Sequence, residues 1–125
     1  MSSDKIPLRP RGGVVAIAKS IREVPIRLTE ERWSHIIEYH GELARFLDQI
    51  LLAVADPDLV FESPKEIEPN FVAIKRFVEL VQYRLADRLA VHYKEVSKDD
   101  GFILTVFPIS DERARRRYRL WQRLK

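Results

Sequence analysis

"RLAVHYKEVSKDDGFILTVFP", residues 88–108, decides how the rest of the chain must be arranged. Its two arms, "RLAVHYKEV" (88–96) and "GFILTVFP" (101–108), are rich in branched and aromatic residues. Such residues suit a pleated, half-buried surface. They flank the polar "SKDD", and Asp100-Gly101 is a turn signal, so the stretch reads as a β-hairpin that Pro108 stops. Alternation puts His92 and Lys94 on one face of the first arm and Tyr93 and Glu95 on the other. Thr105 is a hydroxyl in an otherwise apolar strand, and its neighbour across the hairpin is expected to be Tyr93 or Lys94.

Downstream of the hairpin, Ser110 is a suitable cap, and Asp111 with Glu112 would open a final helix at its positive end. That helix is expected over 111–124, docked by Tyr118, Trp121 and Leu124. Residues 113–125, "RARRRYRLWQRLK", hold Arg113, Arg115, Arg116, Arg117, Arg119, Arg123 and Lys125 with no acid. These are seven of the 22 basic residues, so 15 stand against all 19 acids elsewhere, a balance of −4. The basic character of the protein is thus concentrated at its end. Such a cluster suits phosphate backbones. Cations in the last turn of a helix also complement its dipole, so the cluster has a purely structural reading too.

Upstream, "RLTEERWSHIIEYHGELARFLDQIL" (27–51) carries two of the three histidines. Thr29 is a plausible N-cap, followed by Glu30 and Glu31. Trp33, Ile36, Ile37 and His40 share the face of a short helix that Gly41 ends or bends. A second helix, with Leu43, Phe46, Leu47, Ile50, Leu51 and Val54, runs to Asp56-Pro57. Five residues apart on a regular helix, His35 and His40 would point about 140° away from each other. They therefore cannot form the i, i+4 clamp of a helical zinc site. Glu31, His35 and Glu38 share a face and could hold a metal weakly, although a surface Glu31–His35 pair is the preferred reading, and no metal or other cofactor is expected.

Of the remaining segments, "VVAIA" (14–18) could be a short strand, and "EVPIRL" (23–28) reads better as one, with Pro25 at its edge or start. "LVFE" (59–62) is a short strand, and residues 70–87 fit either a helix or a strand. The Pro/Arg/Gly leader at 7–13 reads as mobile. Residues 1–22 are thus a leader or short extra strand, and 23–125 a single domain. The order indicates α+β: a small, mostly antiparallel sheet packed by an N-terminal helical hairpin and a C-terminal helix.

Composition narrows the function classes. With 46% hydrophobic and 33% charged residues, the chain has the profile of a globular protein. The absence of cysteine removes disulfides, thiolate zinc sites and cysteine nucleophiles, and fits a reducing compartment. No stretch approaches the roughly 18 apolar residues of a membrane span, and no apolar signal core opens the chain. A cytosolic protein that does not act at a membrane is the expectation.

The string "RLTEERWSHI…H", the amphipathic helix ending at a proline, and "LAVHYKE…DGFILTVF" together resemble nucleases of the Barnase–EndoU–Colicin–RelE superfamily, over most of residues 24–121. The resemblance implies a RelE/Barnase-like fold and a toxin-like, metal-independent ribonuclease that leaves a cyclic phosphate after attack by the ribose 2′-hydroxyl. It implies a role for His40, with His35, as the motif histidines, and for Thr105 as a hydroxyl on the last strand. Lys94 would stabilise the phosphate, with Arg76 second. Arg113, Arg115, Arg116, Arg117 and Arg119 would guide the RNA, and an antitoxin or inhibitor protein could cover this face. Family members often carry His-Pro after the helix, whereas this chain has His40-Gly41, a looser turn. The alternatives are a non-catalytic module of the same fold, binding nucleic acid or protein through its Arg-rich helix, and a domain in which that helix is only structural.

Overall fold

The computed structural model describes residues 13–64 and 70–125. Most of the leader, and Lys65–Pro69, lie outside the described residues. Strands β1 (Val14–Lys19) and β2 (Pro25–Thr29) form a hairpin. There follow α1 (Glu30–Tyr39), a 3-10 turn (Gly41–Arg45), α2 (Leu47–Ala55), β3 (Leu59–Glu62) and β4 (Asn70–Arg76). A short α3 (Val78–Gln82) leads to the long hairpin β5 (Arg88–Ser97) and β6 (Asp100–Ile109). The chain closes with α4 (Asp111–Arg117) and β7 (Gln122–Arg123).

All seven strands of the described residues belong to one sheet, in the order β1-β2-β6-β5-β4-β3-β7. Every neighbouring pair is antiparallel except β2 and β6, which run parallel where Ile26 meets Gly101 and Arg27 meets Phe102. The period-2 alternation of the central strands divides the interior between the two faces. Phe71, Ala73, Leu89, Val91, Tyr93 and Ile103 join Ile36, Leu43, Phe46 and Ile50 in the larger core. Val72, Ile74 and Ala90 face the other way, towards Ala114 and Tyr118.

Local chemistry accounts for the helix starts. The Thr29 hydroxyl accepts from the Arg32 amide at 3.1 Å, and the Ser110 hydroxyl accepts from the Arg113 amide at 3.2 Å. Both caps are followed by two acids at the positive end of the helix dipole. The ambiguous 70–87 segment resolves into β4 followed by α3.

The architecture corrects the expectation of a small, mostly antiparallel sheet packed by a helical hairpin and a C-terminal helix, the RelE/Barnase-like arrangement. The sheet is seven-stranded and mixed, because the β1–β2 hairpin adds to it through the parallel β2–β6 contact. The N-terminal helices are not a simple hairpin: α1 stops at Tyr39, and a 3-10 turn separates it from α2. The last helix ends at Arg117, not near residue 124. Beyond it, Gln122 and Arg123 pair with Glu62 and Phe61, and the Leu124 amide donates to the Val60 carbonyl at 2.8 Å. Edge pairing to β3 thus replaces the helical hydrogen bonds of the last turns.

Candidate active site at the end of the first helix

Beyond Phe102, β6 leaves the parallel pairing with β2, and α1 packs against it. Between them lies a cavity of about 300 Å³ lined by His35, Ile36, Tyr39, His40 and Thr105. Two local features converge there. Helix α1 ends at Tyr39, and His40 leaves helical geometry with φ −137° and ψ 63°, while its amide still donates to the Ile36 carbonyl at 2.7 Å. The separation of about 140° expected on a regular helix therefore does not apply, and both histidines reach one cavity. On the strand, the register shifts so that Thr105 pairs with His92 and Ile103 with Tyr93, leaving Leu104 as the extra residue of a β-bulge. Thr105 therefore faces neither Tyr93 nor Lys94 across the hairpin, as had been expected.

The histidines have different surroundings. His40 Nδ1 lies 3.3 Å from a Glu42 carboxylate oxygen, which favours a proton on Nδ1 and leaves Nε2 as an acceptor. The His35 ring is tilted against that of Tyr39, with centroids 4.8 Å apart. Tyr39 itself is 69% exposed, an aromatic face presented to solvent at the cavity mouth. Neither Tyr39 nor Glu42 stood out in the sequence. Tyr39 lies four residues after His35, a helical neighbour, but the Glu42 contact depends on a backbone angle that periodicity does not carry.

Lys94 and Arg76 do not line this cavity. Lys94 lies opposite Asn70 and Phe102, further towards the hairpin turn. Arg76 ends β4 and binds Asp87 at 3.0 Å, which with Arg88 holds the Asp87 carboxyl below its ordinary range. Among the described residues no group of three His, Asp or Glu side chains could hold a metal ion, so Glu31, His35 and Glu38 do not assemble a site.

The arginines of the C-terminal run divide around α4. Arg113, Arg116 and Arg117, at i, i+3 and i+4, share one helix face and line a cavity of about 480 Å³ with Phe107, Pro108 and Ile109. The Arg117 guanidinium lies over the Phe107 ring, 4.8 Å from its centroid. Arg115 and Arg119 line a different cavity, with Leu59, Phe61 and Trp121. Arg115 is matched by Asp111 at 2.9 Å, and Arg116 is held loosely by Glu112 at 3.5 Å.

The third histidine serves the fold. His92 is 9% exposed, and its Nε2 lies 2.6 Å from the Tyr118 hydroxyl. Burial, reinforced by the Arg117 charge, lowers its pKa to about 4, so the ring is neutral near pH 7 and shares a hydrogen bond with the hydroxyl. Burial likewise pushes the Tyr118 phenol up to about 12. No family model, curated protein or solved structure matches the chain.

Proposed function

We propose that the protein is a metal-independent ribonuclease whose reacting groups are His40, His35 and Thr105. The observation that carries this reading is the shared cavity: two histidines and a threonine, from a helix end and a bulged strand, line one space of about 300 Å³. Transesterification of RNA needs a base for the 2′-proton, an acid for the departing oxygen and a donor for the crowded phosphate. His40 Nε2, with Nδ1 turned to Glu42, takes the 2′-proton as the 2′-oxygen attacks phosphorus. His35, in its protonated form, gives a proton to the 5′-oxygen as the P–O5′ bond breaks. The Thr105 hydroxyl donates to a non-bridging oxygen. The products are a 2′,3′-cyclic phosphate and a 5′-hydroxyl. The likeness of "RLTEERWSHI…H" and "DGFILTVF" to superfamily nucleases supports the same chemistry.

The test is cleavage of single-stranded RNA by the purified protein in excess EDTA, beside His40→Ala. Cyclic phosphate ends that form in EDTA and disappear with His40 are the expected result. Absence of cleavage alongside retained, salt-sensitive RNA binding would favour the second reading, a non-catalytic binding module. The observation behind that reading is the three-arginine face of α4, which has no carboxylate in its cavity lining.

A further inference from the structure

We propose that the cavity between α4 and β6 is a subsite for a phosphodiester of the RNA strand. The proposal rests on the ribonuclease reading for its substrate, but its geometry is separate. Phe107 of this cavity lies two residues after Thr105 on the same strand, a separation of about 7 Å. Both cavities take lining residues from β6, although α1 and α4 pack with different core layers of the sheet. The lining matches a nucleotide in both its parts. Phe107, Pro108 and Ile109 give an apolar floor, and Arg113, Arg116 and Arg117 give three guanidiniums with no carboxylate among the lining residues.

The three cations are prepared to different degrees. Arg117 is fixed in place by the Phe107 ring at 4.8 Å and the Tyr118 ring at 5.8 Å, so its guanidinium loses little freedom on binding a phosphate. Arg116 has only a 3.5 Å contact with Glu112, which a phosphate can displace. Arg113 makes no side-chain hydrogen bond or ion pair among the described residues. Guanidinium forks suit phosphate oxygens better than ammonium groups because they bind in a bidentate manner. On the other side of α4, Arg115 is engaged by Asp111, and that cavity includes the Asp111 carboxylate in its lining. The subsite is therefore one face of the helix, not the whole basic run.

The experiment compares two double variants carrying the same change in net charge, Arg113→Ala/Arg116→Ala and Arg115→Ala/Arg119→Ala. Binding of a fully 2′-O-methylated, single-stranded oligonucleotide is followed by fluorescence anisotropy over a salt series; this probe lacks the 2′-nucleophile and cannot be cleaved by the proposed route. The expected result is roughly a tenfold or greater loss of affinity for the first variant only. Its log–log salt slope should also become shallower by about 0.7 for each phosphate contact removed. Equal losses in both variants would mean diffuse attraction and overturn the subsite, as would no loss in either. A short aspartate-rich peptide that binds in place of the oligonucleotide, with the oligonucleotide itself not bound, would overturn it in favour of a protein partner. Cleavage is scored separately on unmodified RNA, so an uncleaving protein that still distinguishes the two variants refutes the ribonuclease reading and leaves the subsite standing.

Discussion

The 2.6 Å contact between His92 Nε2 and the Tyr118 hydroxyl joins the middle of the sheet to the segment that follows α4. It is enclosed by aromatic rings, with Phe107 5.4 Å and Trp121 5.7 Å from the His92 ring, centroid to centroid. Tyr118 also stacks on Phe61, so the same side chain ties β5 and β3 to the C-terminal segment. The arginine face of α4 is therefore seated by a buried polar contact.

Stability should depend on pH through His92. Its folded pKa of about 4 lies below the ordinary value of 6.5, so the unfolded chain takes up the proton first as the pH falls. The contribution of this group is fully present above pH 6.5 and is lost progressively as the pH falls through 4. The full loss amounts to about 3 kcal/mol at most. Urea unfolding near neutrality and near the folded pKa, for the parent and for His92→Phe, measures it. The parent should lose more stability than the variant on acidification; parallel losses would show that carboxylates alone set the acid limb.

Tyr118→Phe removes the hydroxyl and keeps the ring. It leaves a buried imidazole nitrogen without a partner, a cost of about 1–3 kcal/mol. Equilibrium unfolding near pH 7 should register that loss. A neutral Tyr118→Phe would mean that packing alone holds the segment.

Most of the elements were legible because they rest on short-range chemistry. Thr29 and Ser110 cap helices as their sequence context indicates, "LVFE" is a strand over the same four residues, and the 88–108 hairpin forms with its turn beside Asp100. The errors arose where a distant partner decided the outcome. The parallel β2–β6 contact and the shortening of α4 in favour of β7 depend on pairings between segments far apart in sequence, while the bulge at Leu104 is a register shift within the hairpin itself. The candidate site shows the same division. Residue type and resemblance point to His35, His40 and Thr105, but their convergence depends on the end of α1 and on the bulge. Helical projection had placed the two histidines apart.

Two glycines should respond in opposite ways to alanine. At Gly101 an added Cβ would overlap the Lys94 carbonyl oxygen and lie 2.7 Å from Ile26 Cδ1, at the point where β2 meets β6. The backbone oxygen cannot yield without disturbing the hairpin, so Gly101→Ala should cost about 1–3 kcal/mol. At Gly41 an added Cβ meets no atom within 4 Å, and no glycine among the described residues has a positive φ. Gly41→Ala should therefore leave stability unchanged or raise it by about 0.4–1 kcal/mol through the unfolded state. Thermal melts of the two variants check both signs.

Burial of Glu95 provides a further test of how the β1–β2 hairpin is held. Its side chain is 4% exposed and accepts from the Ser20 hydroxyl at 2.8 Å, while Arg22 lies 3.2 Å away and is itself half-exposed. Ser20→Ala removes a hydrogen bond to a buried carboxylate and should cost about 1.5–3 kcal/mol. Glu95→Gln keeps the size of the side chain and removes the charge, so it should make the protein less sensitive to loss of the Ser20 hydroxyl. A double-mutant cycle with both changes measures that coupling. Additive effects would show that the hydroxyl serves its local turn, where the Arg22 and Val24 amides also reach it, more than the carboxylate.

At the proposed active site, Glu42 acts through His40 and is a positioning residue. Its carboxylate lies 3.3 Å from Nδ1, so Glu42→Ala should lower kcat while leaving KM nearly constant, because no contact with RNA is removed. His40→Ala should lower kcat by roughly 10²–10⁴, the usual worth of a positioned base. The double variant should be no worse than His40→Ala alone, since the carboxylate has nothing left to orient. A Glu42→Ala variant that changes KM and leaves kcat intact would place the carboxylate at the RNA, and a double variant showing the product of the two losses would separate it from His40 altogether.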